Sequence, residues 1–163
     1  RGDRRQRQMC IRYRSNKEME RIELLVRQHL RIHLMAKAGV DVNQRSIYRY
    51  FRDTGQAGID LCFLSLADTL AMDGVTILPV RWERELTICR QVLQAWFDQY
   101  DQVVDPPRLI DGDDLMNHFQ LHPGPMIGMI LDAIREEQGA GQITTTAQAL
   151  RLAQELIDRT NEE

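Results

Sequence analysis

The sequence predicts an all-α protein, built as a helical bundle followed by a small helix-turn-helix-like tail unit. Apolar residues recur at steps of three and four through most of the 163-residue chain, which is the spacing of one helix face. Glycine and proline fall between these periodic stretches, where they end helices. The stretch 75–78 is the one strand candidate, and it is too short to pair alone.

The helices of the bundle begin and end at local signals. Ser15 followed by Glu18 fits a capping box, in which each side chain bonds the other residue's backbone, so a helix begins near residue 17. Gly39, Gly55 and Gly74 follow periodic stretches as helix terminators. The predicted helices run over about residues 17–29, 31–38, 45–53, 58–72 and 82–102. The fourth is apolar nearly all round, which predicts burial in the core.

Residues 103–107 form the predicted domain boundary, because Pro106 and Pro107 favour an extended connector. We therefore expect residues 1–102 to form a larger helical domain and residues 103–163 to form a small helical tail. The chain begins with Arg1 and not with Met, so we expect a piece of a longer protein.

Three short helices are predicted in the tail. Asp111 and the acidic residues after it suit a helix start. Pro125 takes the first position of the second helix, where backbone amides have no intrahelical partner. Gly139 and Gly141 end that helix, and the threonines at 144–146 can cap the last one, which runs to about residue 160.

The turns and apolar residues of 109–150 form a pattern more specific than any single motif. Its members are Leu109, Gly112, Asp114, Leu115, Leu121, Pro123, Gly124, Pro125, Gly128, Leu131, Gly141, Ile143, Thr145, Ala149 and Leu150. In this register they resemble the C-terminal region of bacterial class II tRNA nucleotidyltransferases and poly(A) polymerases. Residues 45–60 and 64–71 resemble the helical part after the HD motif in HD-domain members of that family, and 29–31 resemble its H-[LM]-R element.

The family's catalytic signatures are not in this sequence. The head of the family carries a Gly-Ser followed by an Asp-x-Asp pair for magnesium, and its HD members carry a His-Asp dipeptide. Asp111 and Asp113 have the Asp-x-Asp spacing, but capping is the simpler interpretation of acids at a predicted helix start. The resemblance therefore implies no catalytic residue and no cofactor on this fragment, with Mg²⁺ or another divalent metal expected in the parent protein.

Charge is divided unevenly along the chain. Residues 1–52 contain 14 Lys or Arg and 5 Asp or Glu, whereas residues 53–163 contain 7 and 19. A basic half is typical of a protein that binds a polyanion; a basic segment that pairs with an acidic partner domain is the alternative. Cys62 and Cys89 lie in apolar patterns and are expected to be buried and reduced, which fits a cytoplasmic protein without a membrane span.

Arginines recur on one predicted helix. Arg45, Arg49 and Arg52 follow each other at steps of four and three, so they share a face. Guanidinium groups suit phosphate, and the aromatic residues between them could stack on bases. We predict that these arginines bind RNA. The alternative is an exposed basic face with a salt bridge from Arg52 to Asp53 or Asp60.

The turn before Pro125 supplies a second candidate contact. Gly124, Met126 and Ile127 could present backbone amides to a phosphate, because a helix start leaves amides unpaired. Helix-hairpin-helix modules hold nucleic-acid backbones in this way without reading sequence. The alternative is that the prolines only set the turn and that Gly128 only allows close helix packing.

His29, His33 and Asp68 are candidates for metal chemistry. An HD phosphohydrolase holds a divalent metal with His and Asp ligands, and by resemblance Asp68 takes the place of the final Asp while His29 lies near a later His. We name His29 and Asp68 as an incomplete metal site. The alternatives are a hydrogen-bonding acid on a buried helix and a histidine favoured by a helix dipole.

The favoured hypothesis is a non-catalytic helical fragment that holds a tRNA-like RNA. The upstream catalytic domain of the same parent chain would then add the nucleotides. A fragment of a metal-dependent HD phosphohydrolase and a structural or dimerisation module are the alternatives. The sequence leaves open the RNA, the choice between CCA and poly(A) addition, and the oligomeric state.

Overall fold

The structure is a computed structural model that describes residues 15–38, 42–76 and 78–162. The basic segment 1–14 with Cys10, and the helix end predicted at Gly39, lie outside these ranges. The described residues form eight α-helices and no strand, which confirms the all-α prediction. The helices are α1 (Asn16–Gln28), α2 (Arg31–Ala38), α3 (Gln44–Thr54), α4 (Ala57–Asp73), α5 (Pro79–Asp98), α6 (Gly112–Phe119), α7 (Pro125–Gly139) and α8 (Thr146–Glu162).

The described residues divide into two compact units. The first unit takes the described chain up to position 40 together with Thr54–Cys89, and the second takes positions 41–53 together with the chain from Arg90 onward. This division differs from the predicted one because α3 packs with the end of α5 and contacts α7: the ring centroids of Phe51 and Trp96 lie 5.0 Å apart, and Arg45 bonds to Glu137. The predicted boundary after residue 102 stays a prediction about independently folding domains.

The first unit packs α1, α2, α4 and the first part of α5 around Ile32, Leu61 and Cys62, each at most 1% exposed. Cys62 and Cys89 are buried free cysteines, as predicted. The Cys89 thiol donates to the Cys62 carbonyl at 3.6 Å. The hydrogen bond between the two cysteines and burial raise the pKa of Cys89, so its thiol stays protonated.

The predicted burial of α4 on all sides is wrong. Phe63, Leu64 and Leu70 are 60%, 40% and 50% exposed, although all three are large and apolar. The buried face holds Ser65 and Thr69, both fully buried. These two residues lie four apart, so the helix turns them to the same side. The core of the first unit therefore includes a polar layer.

Predicted local signals define the starts of three helices. Ser15 and Glu18 form the expected capping box, with the Ser15 N–H donating to Glu18 Oε2 at 2.8 Å. Asp111 and Asp114 form a second box, which confirms the capping interpretation of this acidic turn. Pro125 is the first residue of α7.

The second unit has a core between α6, α7 and α8. Its buried members are Ile110, Leu115, Ile127, Ile130, Ile134, Ile143, Ala149, Ala153 and Ile157. The α8 members recur at steps of four and form the inward face of that helix.

Two segments differ from the predicted elements. α5 ends at Asp98, and a π-helical turn at Tyr100–Val104 buries Val103 and Val104. The strand candidate overlaps a short 3₁₀ helix at Gly74–Thr76. Among the described helices, none combines the length and the apolar character that a membrane crossing requires.

Candidate nucleic-acid interface

The predicted arginine face lies on α3, in the second unit. The side chains of Arg45, Arg49 and Arg52 are 37%, 52% and 46% exposed. Helical spacing places all three on one side of α3, as the sequence predicted. Solvent therefore reaches a line of three guanidinium groups.

Each of these guanidinium groups meets a carboxylate. Arg45 Nη2 lies 2.6 Å from Glu137 Oε2, and Arg49 Nη2 lies 2.5 Å from Glu136 Oε1. Arg52 Nη1 reaches the other oxygen of Glu136 at 3.4 Å. The acid pair at the end of α7 thus binds the whole arginine face, and the sequence analysis did not find it.

Arg52 forms the salt bridge that was the alternative to RNA contact. Its Nε donates to Asp53 Oδ1 at 2.9 Å. Asp60, the other acid considered, accepts instead from Arg21 Nε at 2.8 Å in the first unit. Both interpretations of Arg52 remain compatible, since its side chain is 46% exposed despite the ion pair.

The ion pairs fix the charge states of this surface. The hydrogen bond from Arg49 holds the pKa of Glu136 below its usual range; burial opposes this shift, and the charges of Arg49, Arg45 and Arg52 lower the pKa further. The same bond raises the pKa of Arg49. Asp53 raises the pKa of Arg52 through its hydrogen bond. The surface therefore alternates fixed positive and negative charge.

A glycine lets α3 approach α7. A Cβ added to Gly139 would lie 2.8 Å from the Cβ of Tyr48 and closer still to its ring. Tyr48 is 5% exposed, and this burial raises the pKa of its hydroxyl. Gly139 ends α7 as predicted, but the closeness of Tyr48 is the reason that only glycine fits. This contact sets the distance between the arginines and the acid pair.

The turn before α7 contains the second predicted contact to phosphate. The N–H of Ile127 donates to the Gly124 carbonyl at 3.2 Å, and its side chain lies in the core. The Ile127 amide therefore already has a partner in this structure, and its contact with phosphate stays a prediction. Gly124 is exposed, and Met126 occupies the first helical turn, where intrahelical acceptors are missing. Gly128 has open space around it, so close packing does not explain it.

The first unit contains a separate polar cluster around His33. Its Nδ1 lies 2.9 Å from Glu85 Oε1, and its Nε2 lies 3.4 Å from Asp68 Oδ2. The Thr69 hydroxyl donates to the other oxygen of Glu85 at 2.6 Å. Glu85 is 1% exposed, so these bonds satisfy a buried carboxylate. The sequence analysis named His33 and Asp68 but missed Glu85, because an acidic side chain on a predicted helix gives no signal of burial.

The predicted metal ligands fit a metal poorly. His29 and Asp68 line one pocket of about 300 Å³ with Ile22, Leu25, Val26 and Leu64. The Nδ1 of His29 lies 2.6 Å from the carbonyl of Val26 in its own helix. Within residues 15–38, 42–76 and 78–162, no three His, Cys, Asp or Glu side chains are grouped to hold an ion. The described residues therefore give a metal no complete site.

Residues 66–153, more than half of the chain, match the family described as tRNA nucleotidyltransferase domain 2, putative. A CC-adding tRNA nucleotidyltransferase of Thermus thermophilus is 28% identical over 137 residues, which are 80% of this chain and 26% of the relative. A second CC-adding tRNA nucleotidyltransferase, from Synechocystis, is 33% identical over 66 residues, which are 40% of this chain and 16% of the relative. No solved structure matches the chain significantly.

The chain spans about a quarter of the Thermus relative and less of the Synechocystis one. The resemblance of 109–150 and the match over 66–153 point to the same region of the same proteins. The chain therefore belongs to the family of the second domain of tRNA nucleotidyltransferases.

Proposed function

We propose that this chain holds tRNA while an upstream catalytic domain of the same parent protein adds nucleotides to its 3′ end. The observation that carries the proposal is the match of 66–153 to a tRNA nucleotidyltransferase domain, with two CC-adding tRNA enzymes among the relatives. The proposal keeps the cytoplasmic location expected from the sequence. The chemistry would belong to the upstream domain, with its divalent metal.

The α3 arginines are the proposed contact to the RNA backbone. Their side chains are at least 37% exposed, so phosphate groups in solution reach them. Glu136 and Glu137 compete with phosphate for the same guanidinium groups. Binding is therefore an exchange, in which RNA phosphates replace carboxylates on Arg45 and Arg49. Together with Asp53, the acid pair would balance the three arginine charges and keep the surface ordered when RNA is absent.

Gel-shift titrations of the full 163-residue chain test this. The RNAs are a tRNA that lacks its 3′ CC and an unrelated stem-loop, each between 50 and 200 mM salt. With about three to five phosphate contacts and a slope of roughly −0.7 per contact, affinity should fall by about 20- to 100-fold over this range. Arg49→Glu should lower the affinity for both RNAs by the same factor, because phosphate contacts do not depend on the base sequence.

Glu136→Gln should change RNA affinity in the opposite direction. Removing the carboxylate that competes for Arg49 should raise RNA affinity, whereas Arg49→Glu lowers it. Arg151→Glu, an exposed site on α8, is the matched charge control. If neither RNA binds below about 100 µM at low salt, the weak edge of non-specific affinity, the unit is a scaffold and its ion pairs are structural. Equal losses of RNA affinity in Arg49→Glu and Arg151→Glu would mean that α3 is not the specific contact to the RNA backbone.

Gly124→Val tests the turn separately. An added Cβ would meet only the His122 carbonyl, at 3.9 Å, so the fold should tolerate the change. If the amides of Gly124 and Met126 bind phosphate, the larger side chain should lower RNA affinity without lowering the unfolding midpoint. Unchanged affinity would remove the turn from the interface and leave α3 in it.

A further inference from the structure

A cleft in the first unit combines three cations with an apolar wall. It has a volume of about 400 Å³. Its lining residues come from the end of α2 and from the start of α5, and they include Lys37, Leu78, Val80, Arg81, Arg84 and Glu85. The cleft belongs to the first unit, whereas the α3 arginines belong to the second.

The charge in the cleft is mainly positive. Lys37, Arg81 and Arg84 face one acid, Glu85. Arg84 Nη1 donates to the Ala36 carbonyl at 3.3 Å, which ties this cation to α2. Lys37 has no ion-pair partner among the residues that the structure describes. Cations that line one cavity from two helices raise the local concentration of anions there.

The start of α5 adds to this field. α5 is 20 residues long and begins with Pro79, and residues 78, 80 and 81 line the cleft. The amides of Arg81 and Trp82 bond to the Leu78 carbonyl, which fixes the first turn. The positive end of the helix dipole therefore lies at the same cleft as the three cations, and both favour an anion.

The acid in the cleft is already occupied. Glu85 accepts from the Thr69 hydroxyl at 2.6 Å and lies 2.9 Å from His33 Nδ1. Arg81 Nε lies 3.6 Å from the same carboxylate. Glu85 thus has partners of its own in Thr69, His33 and Arg81, whereas Lys37 and Arg84 are exposed and can contact an anion.

We infer that this cleft binds the phosphate of a nucleotide, with Lys37, Arg81 and Arg84 as the cations that contact it. The apolar wall of the cleft indicates that the rest of the ligand is apolar. Leu78 and Val80 are 69% and 68% exposed at the cleft, so a flat ring covers apolar surface there that water otherwise contacts. A nucleotide joins a phosphate to such a ring. The site stands independently of RNA binding by α3.

Calorimetric titration of the full chain decides this. Adenosine 5′-monophosphate should bind, and adenosine should bind at least about tenfold more weakly, since one charge-assisted hydrogen bond contributes about that factor. Inorganic phosphate should compete. Lys37→Glu should lower the affinity for the nucleotide about tenfold or more, whereas Arg27→Glu, an exposed charge reversal on α1 outside the cleft, should not. Arg84→Gln provides a second variant that keeps the bulk of the side chain.

The source of the phosphate is distinguished by a dinucleotide. Adenylyl-adenosine carries one phosphodiester, so binding as strong as the monophosphate indicates an RNA backbone, and weaker binding indicates a free nucleotide. Equal affinity for adenosine and its monophosphate would overturn the inference, as would full binding by both Lys37→Glu and Arg84→Gln. Loss of tRNA binding with the nucleotide site intact would reject only the proposed function.

Discussion

The two units place a hydrogen-bond donor beside a carboxylate in opposite environments. In the first unit, Glu85 is 1% exposed and is held by His33 and Thr69 through bonds of 2.9 and 2.6 Å. In the second, Glu136 meets Arg49 at 2.5 Å, but the Arg49 side chain is 52% exposed. Bond length is similar in the two places, and exposure differs. The buried bonds should stabilise the fold, while the exposed pair can exchange partners.

The largest effect is expected in the buried cluster. Glu85→Ala should lower the free energy of unfolding by about 3 kcal/mol, because His33 and Thr69 lose their buried acceptor. Asp68→Ala should cost less, since Asp68 is 39% exposed. Urea denaturation monitored by circular dichroism measures both. Glu83→Ala, an exposed acid on the same helix, is the control and should change stability by about 0.5 kcal/mol or less. If Glu85→Ala were as stable as this control, burial would not make the Glu85 bonds more important for stability than the exposed ion pairs of the second unit.

A smaller effect is expected where α3 meets α7. Gly139→Ala should cost roughly 2 kcal/mol, because its Cβ would overlap Tyr48. Gly128→Ala in the same helix has open space and should stabilise the protein by roughly 0.5–1 kcal/mol through helix propensity. Thermal unfolding should therefore move in opposite directions for the same substitution. If both Gly139→Ala and Gly128→Ala stabilised the protein, Tyr48 of α3 would not pack closely against Gly139 of α7.

The smallest effect is expected at Glu136 and depends on pH. Its pKa is lower in the folded protein than in the unfolded chain, so its contribution is present above an unfolded pKa of about 4.3 and is lost as pH falls through the folded pKa. Glu136→Gln should thus destabilise the protein by about 1 kcal/mol or less at pH 7 and have no effect near pH 2. Urea midpoints at the two pH values, with and without 1 M salt, measure this. A difference that persists in acid would rule out the ion pair as its cause.

The sequence predicted the features that depend on neighbours along the chain. The capping boxes at Ser15 and Asp111 and the proline at the start of α7 involve residues at most three apart. The partners of the α3 arginines could not be found in this way, because Arg45 and Glu137 are 92 residues apart. The reason for Gly139 is equally distant, since Tyr48 supplies it.

Burial was predicted poorly where composition and geometry disagree. Leucine and phenylalanine on α4 suggested a fully buried helix, yet Phe63 is 60% exposed and Ser65 is buried. Hydrophobicity alone does not tell which side of a helix meets its neighbours. The same limitation hid Glu85, whose acidic side chain suggested a surface position and whose place is the core.

The packing of α3 against α7 has a consequence for how the chain folds during synthesis. α3 leaves the ribosome before the rest of the first-unit segment Thr54–Cys89, and long before the glutamates that pair with its arginines. Until then the arginine helix has no native partner on α7. Closing so long a loop costs conformational entropy before the contacts between α3 and α7 can form. This packing should therefore form late and slow the folding of an otherwise local, helical topology. A free RNA or another polyanion met in that interval would find the guanidinium groups before their own carboxylates do.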